Sequence, residues 1–174
     1  LMIVKNNYYW TEHLAPEDRD SYLEYPSFIA NGDVAVVQRI RRSREMYGFR
    51  YVDVVLTFPD YDDIEMDVTL LLDTLHSESP SLTQQENERL FGNVMEDYIH
   101  IRSKKERMKK LRENQYYNAI QVKYAYAITC HKAQGSEWDK VIVFEEFMKG
   151  DNADTHARWL YTAATRAAKQ LIIV

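Results

Sequence analysis

Cysteine is almost missing from this 174-residue chain, where Cys130 stands alone. No internal disulfide is possible, and a reducing, cytoplasmic setting is the expectation. Long apolar runs are missing as well. None approaches the ~18 residues a membrane span needs, and no signal peptide is recognisable. Positive charge is in deficit: the formal net charge is −5. That excludes a general basic coat of the histone kind but leaves room for a few placed phosphate contacts. Two further absences concern chemistry. A phosphate-cradling loop needs Gly-Lys followed by Ser or Thr, and none of Gly32, Gly48, Gly92, Gly135 and Gly150 precedes a lysine. No Asp-Glu pair exists to hold Mg²⁺ and poise a water. The histidines, His13, His76, His100, His131 and His156, have no ligand spacing, so no metal site is expected. There is no internal repeat and no low-complexity segment.

What is present favours a packed protein. Hydrophobic residues make up 45% and aromatics 13%, enough for a core. The thirteen tyrosines suit half-buried strands, where packing is the ordinary role of any one of them. Leu1–Val4 and Leu171–Val174 both read as strands, and a chain that starts and stops in such strands is expected to be a piece of a longer one. Thr11 to Ser27 is polar, with Pro16 and Pro26, and reads as loop. Asn31-Gly32-Asp33 offers turn chemistry. Val34–Ile40, Tyr51–Phe58 and Ile64–Leu70 follow as three strands joined by short polar turns, which predicts a small antiparallel sheet or barrel.

Leu82 to Asn114 is helical in pattern, with Ser81 or Thr83 as the cap and Leu90, Val94, Tyr98, Ile101 and Met108 near one face. Ile120–Tyr126 alternates as a strand, and Val141–Phe144 and Leu171–Val174 are continuous apolar runs of the kind found in parallel sheets. A helix capped by Asp154 or Thr155 and running to about Ala168 lies between the last two, a βαβ unit. Charge is uneven. Residues 39–50 hold Arg39, Arg41, Arg42, Arg44 and Arg50, residues 102–112 hold seven basic side chains, and residues 51–78 hold eight acids with no Lys or Arg. These stretches read either as solvated faces or as the lining of a nucleic-acid path.

Two stretches carry chemistry. Ala127–Asp139 follows a strand and gathers Thr129, His131, Lys132, Gln134 and Glu137 around Gly135; α/β folds collect ligands at strand ends. Thr129 serves as a helix cap or donates to a phosphate, and Gly135 admits positive φ. Leu160–Ala167 surrounds Arg166 with Ala163, Ala164 and Ala167, small residues that let a helix sit close to a sheet while a forked, permanently charged guanidinium projects. Each stretch alone has an ordinary structural reading, as a capped turn and as a helix-end arginine meeting the dipole.

Together and in this order they resemble motifs V and VI of superfamily 1 DNA helicases of the RecD and Dda kind. Thr129, His131, Lys132, Gln134, Gly135 and Glu137 stand where motif V has Thr-x-His-Lys-x-Gln-Gly-x-Glu. Tyr161, Ala163, Thr165, Arg166 and Ala167 stand where motif VI has Tyr-x-Ala-x-Thr-Arg-Ala. Cys130 and Ala164 depart from the usual aliphatics without touching the chemistry. The resemblance covers residues 1–40 and 118–174. It implies an α/β fold: a RecA-like, P-loop-NTPase-type lobe with a mainly parallel sheet over 1–30 and 115–174, interrupted over 31–114 by an inserted Src-homology-type antiparallel β-barrel plus helices.

By the same resemblance the chain is the C-terminal motor lobe of an ATP-dependent helicase. Arg166 is the arginine finger and the catalytic residue. Gly135, Glu137 and Arg166 meet ATP, Gln134 couples nucleotide to nucleic acid, and Thr129, His131 and Lys132 contact single-stranded DNA, with 5′ to 3′ movement. ATP and Mg²⁺ belong to the full-length enzyme, the Mg²⁺ being held by an N-terminal RecA-like lobe of the same chain. Without that lobe, no hydrolysis is expected. An RNA helicase, or a non-enzymatic interaction module on the same fold, are the competing readings. Stimulation by RNA against DNA separates the first, and a Gly-Lys-Thr or Gly-Lys-Ser upstream separates the second.

Overall fold

The computed structural model describes residues 1–13, 25–145 and 152–174. Residues 14–24 of the stretch read as a polar loop lie outside the described residues. In chain order the elements are β1 (Met2–Ile3), α1 (Tyr9–Glu12), β2 (Val36–Met46), β3 (Phe49–Phe58), β4 (Ile64–Leu71), α2 (Gln84–Glu96), α3 (Lys104–Arg112), β5 (Ile120–Lys123), β6 (Trp138–Val143), α4 (Ala153–Ala164) and β7 (Ala167–Ile173). Contacts divide the chain into two units, Leu1–Ala125 and Tyr126–Val174. No helix among the described residues is long and apolar enough to cross a membrane.

The first unit is built on a five-stranded sheet of order β1-β5-β4-β3-β2. The three expected strands are its meander, with β2 continuing through the arginine-rich stretch to Met46. The tight turn between β2 and β3 rests on Tyr47 and Gly48, both at positive φ (54° and 74°), the geometry that matches strand twist in two-residue hairpins. Asp62 and Asp63 turn the chain into β4 at φ 52° and 57°, which aspartate tolerates. Period-two alternation then decides the core. Val52, Val54, Leu56 and Phe58 of β3 and Ile64, Met66, Val68 and Leu70 of β4 share a cluster with Ile3, Ile120 and Val122. Phe49, Tyr51 and Leu71 are in a second cluster with Leu90 and Val94 of α2 and Leu111 of α3.

Two expectations need correction. The sheet is mixed, not mainly parallel: β5 runs parallel to β4 over a two-residue register, while the other pairs in it are antiparallel. The meander also does not close into a barrel. The segment before β2 reaches β1 through the bridge Met2↔Val34, with Ala35 N–H donating to the Leu1 carbonyl at 2.9 Å. A two-residue β1 supplies too few backbone groups for a closing ladder. β5, grouped above with the C-terminal segment, pairs here with both β1 and β4.

The helical stretch is two helices. Thr83 opens α2 with a reciprocal capping box to Glu86. The apolar period runs on past its end, but Ser103 accepts from the Glu106 N–H and starts α3 afresh. The intervening Ile99 is 75% exposed, so the pattern that spans the break does not mark a continuous buried face.

In the second unit β6 and β7 form a parallel pair, from Lys140↔Gln170 to Val143↔Ile173, with α4 between them in sequence as expected of a βαβ unit. The cap of α4 is Asn152, accepting from the Thr155 N–H at 2.8 Å, and not Asp154 or Thr155. The helix stops at Ala164, and β7 begins at Ala167. Thr165 and Arg166 occupy the joint.

Candidate functional site

Both chemistry-bearing stretches lie in the unit Tyr126–Val174. They stand at the starting ends of β6 and β7. The strand that the first of them was expected to follow, β5, belongs to the other sheet. From Thr129 the chain makes a helical turn: the Thr129 carbonyl accepts from Lys132 N–H (2.9 Å) and Ala133 N–H (3.1 Å), and Ser136 N–H donates to the Ala133 carbonyl (3.2 Å). Ala133 is buried and anchors the turn. Gly135 ends it at φ +87° with open space where a Cβ would stand. The glycine is there for its backbone angle, since no neighbour crowds it.

Arg166 closes on this loop from the joint after α4. Its Nη1 donates to the Ser136 carbonyl (3.2 Å), its Nε to the Thr162 carbonyl (3.2 Å) and its Nη2 to Thr165 Oγ (3.0 Å). Its own carbonyl accepts from Trp138 N–H at 2.9 Å. Two links therefore join the two stretches, one from the Arg166 side chain and one between backbones. Every acceptor of the guanidinium is a neutral oxygen, and it has no carboxylate partner among the described residues. Three of its five N–H donors are used, so two of five remain. The charge is felt nearby: burial pushes the Cys130 thiol up from its ordinary pKa, and Arg166 pulls it part of the way back. That thiol donates to the Trp159 carbonyl at 3.6 Å, which fixes the loop on α4.

Beside this joint an open groove of about 500 Å³ runs between the loop and the first turns of α4. Cys130, His131 and Gln134 line it from the loop, and Asn152, Arg158 and Trp159 from the helix side. The structure thus brings His131 and Gln134 together at the groove and Arg166 against Ser136. Thr129, Lys132 and Glu137 are exposed on the same loop, outside the groove lining. Sequence reading missed Arg158 and Asn152. A signal for Arg158 exists: it stands four residues before Thr162 on one face of α4, and the Thr162 carbonyl in turn accepts from Arg166. No group of three or more metal-ligating side chains gathers among the described residues.

Comparison with known proteins gives two results. Residues 124–174, which contain both stretches and the joint between them, match the UvrD-like helicase C-terminal domain. An uncharacterized protein of Methanocaldococcus jannaschii is 42% identical over 59 residues. That similarity spans 34% of this chain and 5% of the relative's length.

Proposed function

We propose that the unit Tyr126–Val174 is the part of an ATP-dependent DNA helicase's second motor lobe that reaches across the nucleotide cleft. The broader lobe, residues 1–30 with 115–174, carries residues 31–114 as an elaboration. The observation that carries this reading is the state of Arg166: half-buried, held in one orientation by the Thr162 and Ser136 carbonyls, and without an acid to neutralise it among the described residues. A guanidinium whose partners are all neutral keeps its charge for a ligand, and its fork fits phosphate oxygens. The match of residues 124–174 to a helicase C-terminal domain supports the same reading.

In this function Arg166 meets the γ-phosphate of ATP bound by an N-terminal RecA-like lobe that also holds Mg²⁺. Bound there, the metal ion neutralises charge on the phosphates. Arg166 stabilises the charge that spreads over the transferring phosphoryl oxygens. Gly135 lets the loop turn away sharply and leaves Glu137 exposed toward the nucleotide edge. Gln134, next to that glycine and at the groove, couples nucleotide to strand. Thr129, His131 and Lys132 take the backbone of single-stranded DNA. Attraction between Arg166 and the γ-phosphate draws two lobes together, and its loss on hydrolysis lets them part, a switch between two states that differ in ligand contacts.

The test is Arg166→Ala in the complete protein. Turnover should fall by about 10³-fold while nucleotide binding, read by fluorescent-analogue titration, stays within a few-fold. Near-normal turnover would remove the arginine from this role.

A further inference from the structure

The first unit holds a pocket that the motor reading does not use. It is a cavity of about 270 Å³ between the segment after β1 and the C-terminal end of α3. Side-chain clamps build it. The Asn118 carbonyl accepts from Asn7 Nδ2 (2.8 Å) and from Trp10 Nε1 (3.0 Å), while Asn118 Nδ2 donates to the Arg112 carbonyl (2.8 Å). Tyr9 Oη adds a donation to the Glu113 carbonyl (3.2 Å). The orphan carbonyls at the end of α3 are thereby satisfied from the pocket side, and the N-terminal segment is fixed against the helix.

The lining has a definite chemistry. Tyr8 is 53% exposed and stacks one face on Phe28, centroids 4.9 Å apart at 28°, so its ring is held flat with the remaining surface open. Lys5 and Arg112 are exposed at the rim, and neither has an ion-pair partner among the described residues. Glu12 is the sole acid in the lining among the described residues. Arg112 also ends a basic helix. Lys105, Lys109 and Arg112, at i, i+4 and i+7, lie along one exposed face of α3. In a chain of net charge −5 this concentration of cations is local.

We propose that this pocket is a second binding site for single-stranded DNA, in which one base stacks on Tyr8 and the flanking phosphates meet Lys5, Arg112 and the basic face of α3. The cavity has the size of a single ring system, and an unstacked base with a charged backbone is the ligand that uses an aromatic plate and a cationic track together. A duplex keeps its bases stacked and leaves the plate idle. The site goes beyond the motor reading and needs neither Arg166 nor the loop around Gly135.

The experiment is a titration of the whole chain against a fluorescent single-stranded oligodeoxythymidine, followed by anisotropy over a range of salt. Tyr8→Ala should weaken binding about tenfold, and Tyr8→Phe, which keeps the plate, should restore it. Lys5→Ala with Arg112→Ala should weaken binding and flatten the plot of log K against log salt by about 1.4, roughly 0.7 for each phosphate no longer neutralised. Urea denaturation of each variant verifies folding. Unchanged affinity in folded Tyr8→Ala and in the folded double variant overturns the proposal. So does an acidic peptide that competes as well as the oligonucleotide, or a duplex bound as tightly as the single strand. Thr129→Ala with His131→Ala separates the two sites. Loss in that variant alone sinks the pocket and spares the motor reading. Loss in the Tyr8 and Lys5–Arg112 variants alone supports the pocket and counts against motif V as the strand-gripping surface.

Discussion

The two units use the same kinds of residue to opposite ends. In β3 of the first unit one position of ten is exposed: Val52, Val54, Leu56 and Phe58 meet the aliphatic cluster, and Phe49 and Tyr51 meet α2 and α3. In β7 of the second unit no position is buried. Ile142, Phe144, Leu171, Ile172, Ile173 and Val174 are exposed to between 37% and 70%. Parallel strands of this composition suit coverage on both faces, and the described residues do not provide it. The first unit holds its own core. The second holds a polar joint whose order comes from hydrogen bonds: a glycine turn, a cysteine bound to a helix carbonyl and an arginine tied to the carbonyls of Thr162 and Ser136. Stability and candidate chemistry are therefore carried by different parts of the chain.

The sharpest break in that contrast is a pair of truncations. Leu56→Ala, at a site with no exposure, should cost about 3 kcal/mol, the lost transfer energy plus the cavity left behind. Ile172→Ala, at 43% exposure, should cost well under about 1 kcal/mol. Urea midpoints followed by circular dichroism measure both, and equal losses would dissolve the distinction between the units.

A smaller effect probes how local order supports the first unit. Thr83→Ala removes the α2 capping box and should cost about 1 kcal/mol at neutral pH. The backbone N–H and hydroxyl of Thr83 hold the Glu86 carboxyl below its ordinary pKa. A depressed carboxylate stabilises the fold above its unfolded-state value and loses that contribution as pH falls through the folded-state value. The penalty of Thr83→Ala should thus shrink in acid, and a pH-independent penalty would separate the cap from the Glu86 charge.

The smallest effect reports on the second unit. Arg166→Ala removes the charge that opposes the upward push on the Cys130 thiol, so alkylation of Cys130 by iodoacetamide near pH 8 should slow as the thiolate fraction falls. No change in rate would mean that the arginine does not stand beside this loop in solution.

Sequence reading found what local periodicity and local turn chemistry encode. The meander strands, Thr83 as a cap and the parallel β6–β7 pair follow from alternation, side-chain oxygens before apolar faces, and continuous apolar runs. The non-local pairings were not legible. Nothing in Met2–Ile3 announces that it pairs antiparallel with β5, or that β5 joins β4, since register between distant segments is fixed by packing. The break before Ser103 was hidden because the apolar period continues through Ile99 and Ile101. At the site, the residue types of both stretches were legible, but their contacts were not. Arg166 is positioned by the carbonyls of Thr162 and Ser136 and by the Trp138 N–H, groups that every residue possesses and that side-chain identity does not mark.

That backbone link has a mechanical consequence. Arg166 receives from Trp138 through its carbonyl and gives to Ser136 through its side chain, so it grips the two ends of one three-residue span, with Glu137 in the middle. Such a two-point grip fixes orientation as well as distance. A guanidinium that let go of Ser136 would leave Trp138 held, freeing the start of the span and keeping its end as the pivot. Under the motor role proposed above for Arg166, an anion that drew the guanidinium off Ser136 would leave Gly135 and Glu137 free to turn about that pivot, together with the loop that carries Gln134.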